Sequence, residues 1–223
     1  MTSATNPENG TVTYTYDSSH HVTTCIDQLG SNTIYSYDSY GRLNEAQYYP
    51  WNYSGAEDTA QRVTYYYDGV YPCTGVSAAY TTGRLSGVAF GGGVTDDYHN
   101  SYCYLYNYTQ SGHVATQEMA VTGGFGHYNG ITFTANYQWD TEGRMTSQQY
   151  PTVHAVGSFG NLSVPMPIAA MQYDANGRLN GMTMDDQDGH GPQPFASATY
   201  TPAGQVDHLS WAGYTEVRTY NNL

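Results

Sequence analysis

The stretch "YSYDSYGRL", residues 35–43, recurs as "YQWDTEGRM" at 137–145 and as "MQYDANGRL" at 171–179. Three copies of one nine-residue phrase pose a choice between a reused active site and a reused way of folding a strand back on itself. Looser copies decide it. "YTYDSSHHV" at 14–22 keeps the tyrosines and Asp17 but carries His20 and His21 in place of Gly-Arg. "YNYTQSGHV" at 106–114 keeps Gly112 and loses the acid, and "ATYTPAGQV" at 198–206 keeps Gly204. "YYYDG" at 65–69 meets its "GRL" only at 83–85, and "RTYNNL" at 218–223 begins one more copy. The anchor position falls at residues 17, 38, 68, 109, 140, 174, 201 and 221, which sets a unit of roughly 20 residues lengthened by insertions.

Each residue type has a physical reason to stand where it does. The two rings of Tyr-x-Tyr share one face of a strand, because side chains alternate with period two. Asp at the first position of a turn accepts hydrogen bonds from backbone N–H groups two residues on. Gly three residues later suits the left-handed position that closes a type I turn, and Arg-Leu opens the returning strand with the Arg beside the Asp. Each unit is therefore read as an antiparallel hairpin. A lone hairpin is marginal in water, so successive hairpins must pair side by side. Eight anchors imply up to about 16 strands in a ribbon about 75 Å wide, which must twist and curl.

Composition agrees. The 223 residues include 25 tyrosines and only 11% charged residues; every basic residue is Arg. A net charge of −13 excludes the clustered cations that nucleic acid or anionic membranes require. No apolar run is long enough to span a bilayer, and residues 1–10 lack the basic and apolar regions of a signal peptide. Residues 1–12 read as a flexible lead to one domain covering 1–223, with insertions near 44–64, 69–101, 151–170 and 185–197. Cys25, Cys73 and Cys103 have no metal-site spacing and read as three buried thiols, with one disulfide as the alternative.

Candidate sites lie mainly in the insertions. "QYYPWNYSG" at 47–55 gathers Tyr49, Trp51 and Tyr53 around a proline, a pattern able to stack on sugar rings or to pack over the sheet edge. Asp185, Asp186, Asp188 and His190 share a Gly-flanked loop that suits Ca²⁺ or simply solvent. Scattered histidines with Asp96 or Asp97 are the material for a transition-metal hydrolase site. No other cofactor is expected. The stretch 98–108 alternates with period two and reads as a strand with one tyrosine face buried. The pairs Asp38/Arg42, Asp140/Arg144 and Asp174/Arg178 read as turn chemistry with Gly41, Gly143 and Gly177, since an enzyme needs one site and a scaffold needs many turns.

The motif resembles the YD repeat of the Rhs proteins and teneurins over residues 13–223. That resemblance implies an all-β sheet spiralling into part of a hollow shell, which in bacterial members encloses a toxin and in animal members belongs to a cell-surface protein. The element that closes the bacterial shells has no counterpart here, so the expected identity is a fragment of such a shell. The expected role is a structural or binding scaffold, extracellular or at the cell surface as part of a larger protein. Its expected partners are a glycan or other surface ligand and, through exposed strand edges, another copy. The alternative is a hydrolase built from His and Asp on the loops or one face of the sheet.

Overall fold

Strands rich in Tyr, Thr and Val need a pleated neighbour on each side, and the computed structural model supplies one for nearly all of them. It describes residues 2–8, 10–51, 55–71, 73, 79–91, 101–125, 128–157, 160–164 and 166–221. Among these, 17 strands form a single sheet. The first are β1 (Ser3–Asn6), β2 (Gly10–Tyr16), β3 (Val22–Ile26), β4 (Asn32–Tyr37), β5 (Leu43–Tyr49) and β6 (Val63–Tyr67). β7 (Leu85–Phe90), β8 (Ser101–Tyr108), β9 (Val114–Phe125), β10 (Tyr128–Trp139) and β11 (Met145–Gly157) follow. β12 (Gly160–Val164), β13 (Ile168–Tyr173), β14 (Leu179–Asp185), β15 (Gln193–Tyr200), β16 (Val206–Trp211) and β17 (Tyr214–Val217) complete it.

Consecutive strands pair antiparallel along the chain, with one branch. β11 pairs with β13 over Ser147–Gln149 and with β12 over Val153–Gly157. β1 pairs only with β2, and β17 only with β16, so both edges are open among the described residues. Two strands separate most successive motif copies, and where three do, β12 and β13 both run antiparallel to β11, so the described motif turns share one rim. The fold is the expected curled all-β hairpin array.

Strand register sorts the side chains into two unlike faces. One row on the first face reads Tyr35, Ala46, Val63, Phe90, Tyr102, Val121, Ile131 and Ala155. The row behind it on the opposite face reads Tyr66, Gly87, Leu105, Glu118, Thr134 and Thr152. Among the described residues no second layer covers the sheet, and the accessible area of 14049 Å² exceeds the roughly 10,000 Å² of a compact protein of this length.

The exception is the segment after β6. Cys73 is disulfide-bonded to Cys103, the Tyr71 hydroxyl donates to the Tyr106 carbonyl at 3.3 Å, and the Ser86 hydroxyl donates to the Val70 carbonyl at 2.7 Å. This cover seals Leu105 and Ser86, both 0% exposed.

Four expectations change. The N-terminal lead is not loose: Ser3–Asn6 pairs with Gly10–Thr13 as a hairpin. The insertions are shorter than the repeat spacing implied, because β5 runs to Tyr49, β7 and β12 lie inside the expected loops, and β15 begins at Gln193. The three thiols are one disulfide and one free thiol, Cys25. In β8 the buried face is Cys103 and Leu105, while Tyr102, Tyr104 and Tyr106 stack half-exposed beside Phe90 on the other. Replacing both Cys73 and Cys103 by Ser should cost about 2–4 kcal/mol in denaturant unfolding, the usual worth of such a cross-link.

Candidate functional site

The motif turns are built alike. In the turn at 38–42 the Asp38 N–H donates to the Arg42 carbonyl at 2.9 Å and the Gly41 N–H to the Asp38 carbonyl at 3.0 Å. One Asp38 oxygen accepts from the N–H groups of Tyr40 and Arg42, both at 2.9 Å, and the other accepts Arg42 Nε at 2.7 Å. Asp140 with Arg144 and Asp174 with Arg178 repeat the pattern. The glycines take left-handed φ of 77° at Gly41, 79° at Gly143 and 76° at Gly177. All nine residues lie in these turns. A further turn of the same design, Asp27–Ser31, lies on the opposite rim; it went unread because no aromatic pair precedes it.

What the sequence did not show is that each turn is finished by the next unit. The aromatic residue just before each anchor donates to the first carbonyl of the previous unit's returning strand. Tyr37 reaches Val22, Tyr67 reaches Leu43, Tyr108 reaches Leu85 and Tyr173 reaches Met145, at 2.7–2.9 Å. Trp139 Nε1 reaches Val114 at 2.8 Å, and Tyr200 and Tyr220 reach Leu179 and Val206.

The previous unit's cation lies on the same ring. Arg42 sits 4.2 Å from the Tyr67 centroid, Arg144 4.9 Å from Tyr173 and Arg178 4.4 Å from Tyr200. His21 and His113, replacing Arg, stack at 4.6 Å on Tyr37 and Trp139. The next turn's glycine closes the other side: a Cβ on Gly177 would stand 3.0 Å from Arg144 Nη1, and one on Gly143 2.9 Å from His113 Nε2. Glycine is thus required twice, for its φ and for this close approach.

The carboxylates are tuned accordingly. The Arg144 backbone N–H, ahead of its guanidinium, holds Asp140 below the usual carboxylate range, and the Arg178 guanidinium does the same to Asp174. Glu118 is the opposite case. Burial pushes its carboxyl up, against a Thr134 hydroxyl bond at 3.3 Å and the influence of His154.

The opposite rim carries the loops that hold the remaining candidate residues. Tyr49 ends β5, and Trp51 stands 62% exposed beside the Asp27 turn; Tyr53 lies outside the described residues, as do Asp96 and Asp97. The acidic loop is divided. Asp185 accepts the Gln187 N–H at 2.8 Å, and Asp188 holds His190 Nδ1 at 2.8 Å. Asp186 turns instead to a cleft of about 420 Å³ shared with Tyr150, Met166, Pro167, Met184, Gln193, Pro194 and Phe195. Sequence reading missed this cleft because its walls come from two insertions and the branch of β11. Among the described residues no three His, Cys, Asp or Glu side chains converge to hold a metal ion.

No family model and no curated protein sequence matches the chain. Solved structures do match its fold. The TcdB2–TccC3–Cdc42 crystal structure aligns with a TM-score of 0.69 and 14% identity over 98% of this chain and 10% of that one. TcdB2–TccC3 without its hypervariable C-terminal region gives 0.68 and 14% over 98% and 10%. The Photorhabdus luminescens Tc holotoxin pore gives 0.66 and 14% over 94% and 9%. The chain spans about a tenth of the length of these chains, and the shared fold is the one its repeat implied.

Two outcomes follow for the column and the buried acid. Tyr173→Phe deletes one inter-unit bond and should cost about 0.5–1.5 kcal/mol in urea unfolding. Glu118 has a folded pKa above its ordinary 4.5, so its own contribution to stability is greatest below that value and falls as pH rises through the window above it. Glu118→Gln should therefore raise the melting temperature at pH 7 and leave it unchanged near pH 4.

Proposed function

We propose that this chain is a load-carrying segment of a YD-repeat shell: a scaffold whose product is shape. The observation that carries the reading is the inter-unit staple, in which each hairpin's aromatic residue completes the hairpin before it. Such a sheet is stiff along its length and has no natural stopping point, as a wall requires. The fold shared with the Tc toxin chains supports it.

An oxidising setting outside the cytoplasm fits the Cys73–Cys103 bond, since such cross-links persist where thiols are not kept reduced. No helix among the described residues is long and apolar enough to cross a membrane. The hydrolase alternative gains no support, because the convergent group of His and acid side chains it needs does not form among the described residues.

The edges provide the test. Arg218 N–H donates to the Asp207 carbonyl at 2.8 Å, so the alternating N–H of Val217 points away from β16 toward an incoming strand. Val217 is 60% and Tyr214 68% exposed there. Sedimentation velocity should show concentration-dependent self-association. Val217→Pro removes the outward donor while sparing the β16 ladder and should weaken that association several-fold. A monodisperse monomer at the highest concentration reached would sink the wall reading.

A further inference from the structure

The cleft beside β11 has no part in the staple, and its chemistry is one-sided. It arises where β11 passes from β13 to β12. The sheet divides there, and the link Met166–Pro167 bridges the gap, with the Tyr150 N–H held to the Pro167 carbonyl at 2.9 Å. The far wall is the end of β14 and the start of β15, where Met184 faces Gln193 in register. At about 420 Å³ the space has the size of a small-ligand site.

Its walls are polarizable and electron-rich. Tyr150 and Phe195, each 43% exposed, present ring surface, and Met166 and Met184 add thioethers. The polar groups offer acceptance. Gln193 spends its amide donor on the carbonyls of His190 and Gly191, at 3.2 and 3.3 Å, which leaves its amide oxygen available. Asp186 has no hydrogen-bond or ion-pair partner among the described residues, whereas Asp185 and Asp188 are capped within their own loop.

The protein's arginines are all committed elsewhere. It contains six arginines and no lysine. Arg42, Arg144 and Arg178 are held in the column, Arg62 between Glu57 and Glu45, Arg84 on the Tyr80 carbonyl and Arg218 on Glu216. A net charge of −13 also draws small cations toward the surface.

We propose that this cleft binds an organic cation, an ammonium or guanidinium group on a short aliphatic stem. The head pairs with Asp186 and lies against the rings of Tyr150 and Phe195; the stem packs on Met166, Met184 and the prolines. The same chemistry is carried by a free alkylamine and by a Lys or Arg side chain of a peptide.

Methionine-methyl NMR reads the site directly, because two of the seven methionines line it. Butylguanidine and pentylamine, titrated to about 10 mM, should shift Met166 and Met184 and leave the other methyls in place, with an affinity that falls as salt is added. Pentanol, with the same stem and no charge, should bind about tenfold more weakly or worse. Asp186→Asn and Phe195→Ser should each weaken butylguanidine by about tenfold while the unperturbed methyl signals report an intact sheet. An acetyl-Gly-Arg-Gly-amide peptide separates the sources: tighter binding than butylguanidine assigns a peptide side chain, and equal or weaker binding a free amine. No shift with any cation, pentanol binding as well as pentylamine, or an Asp186→Asn variant binding unchanged would each overturn the proposal.

Discussion

The structure depends on how one unit's cation is seated in the next unit. Arg144 bonds its own Asp140, lies on the ring of Tyr173 and packs against Gly177, so three positions of the motif are fixed by one side chain. The planar guanidinium suits this because it can donate in its plane and stack across it. Histidine keeps the planar ring, and His21 and His113 keep the stack. At Gln205 the cation is absent, yet the Tyr220 hydroxyl still reaches the Val206 carbonyl at 2.8 Å. The ring-to-carbonyl bond is therefore the more persistent link, and the cation reinforces it.

Seen this way, a motif that resembles an active site is consumed by architecture. Asp38 has an acid's geometry beside a base, but both its oxygens are engaged, by two backbone N–H groups and a guanidinium. The same holds at Asp140 and Asp174. A single-layer sheet has little core to draw on, and bonds of this kind, repeated across the rim, replace the second layer that most domains use. The disulfide-pinned segment over Leu105 is the local exception, and it falls at the centre of the array.

The turn and the hairpin it makes were legible because both are encoded within nine consecutive residues. The staple was not, because its two ends belong to different copies: Tyr67 and Leu43 are separated by an insertion whose length says nothing of proximity. The Asp27 turn was hidden for the converse reason, having the turn chemistry without the tyrosines that mark a copy. Insertion bounds failed where a strand carries no copy of the motif, as in β12. Tyr49 ends β5, and Trp51 lies beside the Asp27 turn. The cleft at Asp186 needed the branch of β11, a register event that Met166, Pro167 and Phe195 do not announce singly.

Charge ties these observations together. With six arginines spent on internal pairs against 19 acidic residues, the outward field of the sheet is negative. Edge pairing must then work against like-charge repulsion, which the sheet limits by making its polar face from Thr, Ser, Asn and Gln rather than from Lys and Glu. Uncharged polar side chains leave the strands free to lie side by side, and they also leave the few unpaired carboxylates conspicuous. Asp186 is one of them, and it stands beside the apolar walls of the cleft. A lysine-free composition thus has two consequences from one cause: a wall whose units approach without unwanted ion pairs, and a recess whose acid none of the six arginines reaches.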